Sequence, residues 1–122
     1  MIFGIGTDLI EMERIQKAIQ RKRFLEYVYT KAEQELIAGR VQRAAGNFAV
    51  KEAVVKAFGT GFRGIAPKEI EVLRDMAGKP YVCCHGRAEI FMQEHKISKL
   101  HVSISNLKEY AQAFAVAEQQ EE

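Results

Sequence analysis

Gln42–Phe58 is the stretch that most constrains this chain: it is rich in alanine, contains no proline and is followed at once by Gly59. It predicts a long helix, with Gly59 as its C-terminal stop because glycine enters the left-handed conformation at little cost. In a chain of 122 residues such a helix dominates the packing, since a domain of this size buries only about two-thirds of its unfolded surface and supports one modest core. We see no internal repeat and no linker, so residues 1–122 read as a single domain.

Shorter elements surround that helix. Met1–Ile5 reads as an opening strand, and Gly4 and Gly6 allow a turn or the close approach of another group. From Glu11, apolar residues recur at Met12, Ile15, Ala18 and Ile19 with helical spacing. Thr30 and Glu33 have the spacing of a reciprocal capping box, opening a helix that fades by Gly39. Glu69–Leu73 alternates like a strand, Asp75–Pro80 is turn chemistry, and Tyr81–Cys84 is the expected hairpin partner. Gly86–Glu94 suits a helix; Leu100–Ile104 and Ala111–Ala117 suit two further strands, and the acidic tail 118–122 is expected to fray. The order strand, helices, hairpin, helix, hairpin implies an α+β fold, a small antiparallel sheet packed on a long helix. Phe48, Phe58, Phe91 and Phe114 are expected in the core.

Composition narrows the function classes. Two prolines, nine glycines and 48% hydrophobic residues exclude collagen-like, low-complexity and wholly disordered chains. No apolar run approaches the roughly 18–20 residues that span a bilayer. Net charge is only +2, but Arg14–Arg23 holds five basic residues and no acidic one, a patch suited to an anionic partner or to a solvated helix face. Cys83 and Cys84 are adjacent and supply no disulfide framework, and there is no basic leader with an apolar core, so a reducing, cytoplasmic compartment is expected. Without aromatic–basic interleaving or a strongly positive balance, a nucleic-acid binder has little support.

Two carboxylates stand out. Glu52 interrupts an otherwise apolar helix face among Ala45, Phe48, Ala49 and Val55, so it must be paired with Lys56, hydrogen-bonded, or bound to a cation. Asp8 follows a strand and two glycines, where it either caps the next helix or projects into a cleft. Two carboxylates from separate elements suit Mg²⁺, which takes a few carboxylates, waters and substrate phosphates. Lys51 and Lys56, followed by Gly59-Thr60-Gly61, would complement polyphosphate charge, although neither a phosphate-loop nor a dinucleotide-binding fingerprint is present. His101, Ser103 and Ser105 share one strand face, most simply the solvent face, and the two cysteines read as small strand residues.

Taken in order, Gly4-Ile5-Gly6-Thr7-Asp8, Phe48 to Gly61 with its Lys51-Glu52-Ala53 and Lys56, Gly78-Lys79-Pro80, and His101-Val102-Ser103-Ile104-Ser105 resemble the holo-[acyl-carrier-protein] synthases, the short 4′-phosphopantetheinyl transferases. The resemblance covers essentially the whole chain. It implies transfer of phosphopantetheine from coenzyme A to a serine of apo acyl carrier protein, with release of adenosine 3′,5′-bisphosphate, priming fatty acid biosynthesis. It also implies Mg²⁺ on Asp8 and Glu52, and phosphate contacts from Lys56 and Lys51. Asp8, Glu52 and Lys56 become the catalytic group, with Glu52 the candidate for taking the serine proton. Coenzyme contacts are implied for Gly59, Thr60, Gly61, Lys79, Pro80, Ser105 and Asn106. Arg14, Arg21, Lys22, Arg23 and Phe24 match the region that docks the acidic carrier, and the family is typically trimeric with its sites between subunits.

Asn47 and Asn106 stand where the family often has Arg and His, both expected at coenzyme A. These two departures are the only support for the alternative, a binding module that docks the carrier without transferring anything. A chain this short encloses little by itself, which favours an active site shared between copies.

Overall fold

The computed structural model describes residues 1–121. Its strands and helices follow in the order β1 (Ile2–Glu11), α1 (Met12–Ala18), α2 (Lys22–Val28), α3 (Lys31–Ile37), α4 (Val41–Phe58), β2 (Ile70–Arg74), β3 (Pro80–Cys84), α5 (Gly86–Glu94), β4 (Ile97–Asn106) and β5 (Tyr110–Gln119). The strands form an antiparallel three-stranded sheet, ordered β1–β5–β4, and a separate β2–β3 hairpin. α4 runs beneath the sheet, so the expected α+β architecture on one long helix holds. No described helix is long and apolar enough to cross a membrane.

α4 ends as its sequence requires. Gly59 takes φ of 81° and returns its N–H to the carbonyls of Val55 and Lys56. The Thr30–Glu33 capping box is also present: Glu33 N donates to Thr30 Oγ1 at 3.2 Å and Thr30 N to Glu33 Oε1 at 3.1 Å. Both features are local, which is why short sequence windows reveal them.

Three expectations need correction. β1 does not stop at Ile5 but continues to Glu11, because β5 supplies a partner for its whole second half, Asp8 opposite Ala113 and Glu11 opposite Tyr110. The stretch after α1 holds a further helix, α2, whose Val28 is buried. The tail is not frayed throughout, since Glu118 and Gln119 belong to β5 and Gln119 N donates to Met1 O; Glu122 lies outside the described residues.

Phe114 is also not in the core. On β5 the alanines at 111, 113, 115 and 117 face α4 and are buried, while Phe114 lies on the opposite face and is 46% exposed. It is flanked in register by Thr7 and Ser103. Ile5 and Leu9, both 61% exposed, share this uncovered side of the sheet by alternation. Phe58 is buried, whereas Phe48 and Phe91 are partly buried at the two core clusters.

Candidate active site

The site begins with two glycines. A Cβ on Gly4 would collide with the backbone carbonyl of Ala57, and one on Gly6 with that of Ala53. Only glycine lets β1 lie directly on the α4 backbone, and that contact brings Asp8 to the helix flank carrying Glu52 and Lys56. Lys56 Nζ donates to Thr7 O at 3.0 Å and to Asp8 Oδ1 at 3.3 Å. Asp8 is thus a mid-strand residue rather than a helix cap, and Lys56 is tied to β1 rather than to Glu52.

Glu52 is half-buried and makes no hydrogen bond or ion pair among the described residues. Burial pushes its carboxyl above the ordinary range, the neighbouring Asp8 charge adds to the rise, and Lys56 opposes it. Burial also raises Asp8, against the hydrogen bond and charge of Lys56. Two partly desolvated carboxylates therefore share one lysine, an arrangement that an added cation would stabilise. No cluster of three or more His, Cys, Asp or Glu capable of holding a metal occurs among the described residues. Two carboxylates without softer ligands fit Mg²⁺, which keeps several waters and takes its remaining ligands from phosphate.

One turn beyond Lys56, the N–H groups of Gly59, Thr60 and Gly61 all fold back onto the carbonyl of Val55. The loop is thereby held beside the carboxylate–lysine cluster, but these three donors are already used.

Lys51 is corrected outright. One residue step turns a helix by about 100°, so Lys51 faces away from its neighbour Glu52, into the core. Its side chain is fully buried, and Nζ donates to Glu33 Oε1 at 2.8 Å, Pro67 O at 3.0 Å and Ile70 O at 2.6 Å. With all three protons engaged, this ammonium cannot contact a phosphate. Burial lowers the Lys51 pKa and raises that of Glu33, each held back by the charge of the other.

Asn47 shares the same buried flank and is likewise no coenzyme contact. Its Nδ2 donates to Glu33 Oε2 at 3.0 Å and Val72 O at 2.9 Å, and its Oδ1 has no hydrogen-bond partner among the described residues. Sequence reasoning found Glu33 only as a cap. In the fold it also anchors Lys51 and Asn47, a role set by residues distant in sequence.

The remaining candidates are dispersed. Lys79 and Pro80 sit at the β2–β3 turn, on a hairpin tied to α4 through the Asn47 and Lys51 bonds to Val72 and Ile70. Ser105 is exposed opposite Gln112, on the sheet face away from Asp8, and Asn106 is exposed where β4 ends. Within one chain the cluster is therefore Asp8, Glu52 and Lys56, with Gly59–Gly61 adjoining. Arg14, Arg21, Lys22 and Arg23 are exposed on α1 and at the start of α2. Phe24 is half-buried between Tyr29 and Phe48, with the Arg21 guanidinium 5.9 Å from its ring centre. Burial pushes the Cys84 thiol up to about 12, leaving little thiolate, and burial also raises Cys83.

Residues 4–115 match the 4′-phosphopantetheinyl transferase superfamily. The chain is 59% identical, over 97% of each sequence, to the holo-[acyl-carrier-protein] synthase of Lachnoclostridium phytofermentans. It belongs to the holo-[acyl-carrier-protein] synthase family. Solved holo-[acyl-carrier-protein] synthases share its fold. The Neisseria meningitidis enzyme superposes with a TM-score of 0.90 at 33% identity, covering 98% of this chain and 100% of that one. The Bacillus anthracis holo-[acyl-carrier-protein] synthase, in complex with coenzyme A (3′,5′-ADP), gives 0.83 at 36% identity, covering 98% and 99%. The chain is accordingly an enzyme, a phosphopantetheinyl transferase.

Proposed function

We propose that the transfer carried out by this holo-[acyl-carrier-protein] synthase, moving phosphopantetheine from coenzyme A to apo acyl carrier protein, takes place at the Asp8–Glu52–Lys56 cluster. The observation that carries this assignment is Glu52: a half-buried carboxylate with no hydrogen bond or ion pair among the described residues, beside a second carboxylate and a lysine. Asp8 and Glu52 would hold Mg²⁺, which when bound neutralises charge on the pyrophosphate. Lys56, half exposed while anchored to Thr7 O and Asp8, presents its ammonium to the same phosphates. Glu52 takes the proton of the carrier serine as that oxygen bonds to the β-phosphorus. The bond from this phosphorus to the bridging oxygen breaks, and adenosine 3′,5′-bisphosphate leaves with the electron pair.

Incubating the protein with apo carrier, coenzyme A and Mg²⁺, then weighing the carrier, should show a phosphopantetheine gain that EDTA abolishes. A gain indifferent to EDTA would remove Mg²⁺ from the site. No gain despite carrier binding would favour the binding module, whose support from Asn47 is gone now that this residue lies in the core.

We place carrier docking at Arg14, Arg21, Lys22, Arg23 and Phe24, supported by their exposed positive charge beside an aromatic ring. We also assign a homotrimer with sites between subunits, and a cytoplasmic setting in keeping with two cysteines free of disulfides. The trimer is supported by the uncovered sheet face with Ile5, Leu9 and Phe114, and by Ser105 lying across the sheet from Asp8 of its own chain. Phe114→Lys should yield monomers in analytical ultracentrifugation and lose turnover together; monomers with full turnover would refute the shared site.

A further inference from the structure

Glu69 joins three segments that the transfer chemistry leaves unexplained. Its Oε1 accepts from Ala66 N at 2.7 Å and its Oε2 from Arg87 N at 2.7 Å. One carboxylate thereby closes the end of the loop after α4 and caps the first turn of α5. The backbone adds a third tie, His85 N to Glu69 O at 2.8 Å. Gly86, at φ of 54°, is the residue that makes room, because a Cβ there would strike Glu69 Oε2.

The neighbouring backbone is clamped from the other side. Lys51 Nζ holds the carbonyls of Pro67 and Ile70, and Ile65 and Pro67 are themselves buried. The loop thus has a fixed start, where Gly59, Thr60 and Gly61 bond to Val55, and a fixed end at Ala66–Ile70. Between them Phe62–Gly64 is partly or fully exposed, with the Arg87 guanidinium close to Gly64.

We propose that Glu69 is a positioning residue for coenzyme binding: its two hydrogen bonds hold the Gly59–Ala66 loop in the shape that receives coenzyme A, although Glu69 itself does not touch the substrate. The inference rests in one respect on the family resemblance, which implies that the loop meets the coenzyme at Gly59–Gly61. Losing a preset loop shape means that the ligand must order the loop on binding, which weakens affinity more than it slows the chemical step.

Three variants test this. Glu69→Ala removes both acceptors, Glu69→Gln keeps one, and Gly86→Ala displaces the carboxylate without altering it. The expected effect in Glu69→Ala is a rise of about tenfold in KM for coenzyme A with kcat within about twofold, and faster hydrogen exchange confined to residues 60–66 and the Arg87 amide at the start of α5. Glu69→Gln should fall between wild type and Glu69→Ala, and Gly86→Ala should follow Glu69→Ala. Unchanged exchange in 60–66 would overturn the role of Glu69. Faster exchange with unchanged KM would show that Glu69 holds the loop but that the loop does not line the coenzyme, which overturns the proposal through the site reading. A Tm collapse with exchange rising throughout the chain, in Glu69→Gln as well as Glu69→Ala, would reduce the contact to a general structural one and overturn it too.

Discussion

Lys51→Met tests the reassignment of a lysine from substrate contact to core. Methionine nearly matches the lysine stem in shape, so the variant mainly deletes the ammonium. The deletion leaves Glu33 buried with the N–H groups of Thr30 and Val72 and Nδ2 of Asn47 as partners, and removes the donor that satisfies the carbonyls of Pro67 and Ile70. Breaking a buried pair from one side costs about 3–5 kcal/mol, because an uncompensated charge stays in the interior. Small domains are stable by only about 5–15 kcal/mol, so the loss is a large fraction of the total. With an m-value of about 2 kcal/mol/M, the urea midpoint should fall by roughly 2 M.

The pH dependence has a definite sign. In the variant the Glu33 pKa rises further, since burial remains and the opposing Lys51 charge is gone. The native state then binds a proton more readily than the unfolded chain, so the variant's stability is greatest at low pH and is lost as pH rises through the shifted pKa. The gap to wild type should therefore narrow on acidification. Adding Glu33→Gln, which removes the buried charge, should recover much of the loss at neutral pH. Urea unfolding at several pH values decides it: an unchanged midpoint together with a raised KM for coenzyme A would show that Lys51 reaches the substrate after all.

Gly6→Ala forces a Cβ into the Ala53 carbonyl, and since both partners are backbone it should cost about 2–3 kcal/mol in thermal or urea unfolding and reduce turnover by displacing Asp8; wild-type stability would mean that β1 does not sit on α4 so closely. Glu52→Gln should lower kcat by about 10²–10⁴-fold while leaving Tm unchanged or slightly higher, because burial and the Asp8 charge, which disfavour the carboxylate it removes, outweigh the attraction of Lys56; single-turnover mass spectrometry with a thermal melt separates this from unfolding. Glu71 is partly buried, which raises its pKa, but the Thr30 hydroxyl at 2.5 Å and His85 at 3.0 Å together pull it below the ordinary 4.5. A depressed carboxylate supports the fold above its unfolded pKa and loses that support as pH falls through the folded one, so Glu71→Gln should flatten the acid side of the stability profile below about pH 4.5; an unchanged profile would refute the pairing.

How much of this was legible in the sequence follows from how local each cause is. The end of α4 at Gly59 and the Thr30–Glu33 box depend on residues within a turn of each other, and both were readable. The true length of β1 was not, because Gly4 and Gly6 weaken any strand signal. Its second half exists through pairing with residues of β5 about a hundred positions away and through the helix below. Lys51 and Glu52 were inseparable for a related reason. α4 is buried on most sides, by Ala49, Ala53 and Ala57 towards the sheet and by Asn47 and Lys51 towards α3 and β2, so no polar stripe marks one charged neighbour as internal and the other as facing the site.

Phe114 shows how a correct pattern can be read with the wrong sense. Ala111–Ala117 reads correctly as a strand, but its one aromatic side chain is expected in the core. Close packing against α4 reverses that choice. The strip of β5 facing the helix has room for alanine, as β1 has room only for glycine at 4 and 6, and the bulkier Phe114 is left on the far side with Ile5 and Leu9. The tight sheet–helix contact that delivers Asp8 to Glu52 and Lys56 thus moves apolar bulk out of the monomer's core. An isolated chain gains nothing from those exposed side chains; burying them against another copy would stabilise the proposed assembly. The geometry of the carboxylate site and the case for self-association therefore have one physical origin, the short distance between β1, β5 and α4.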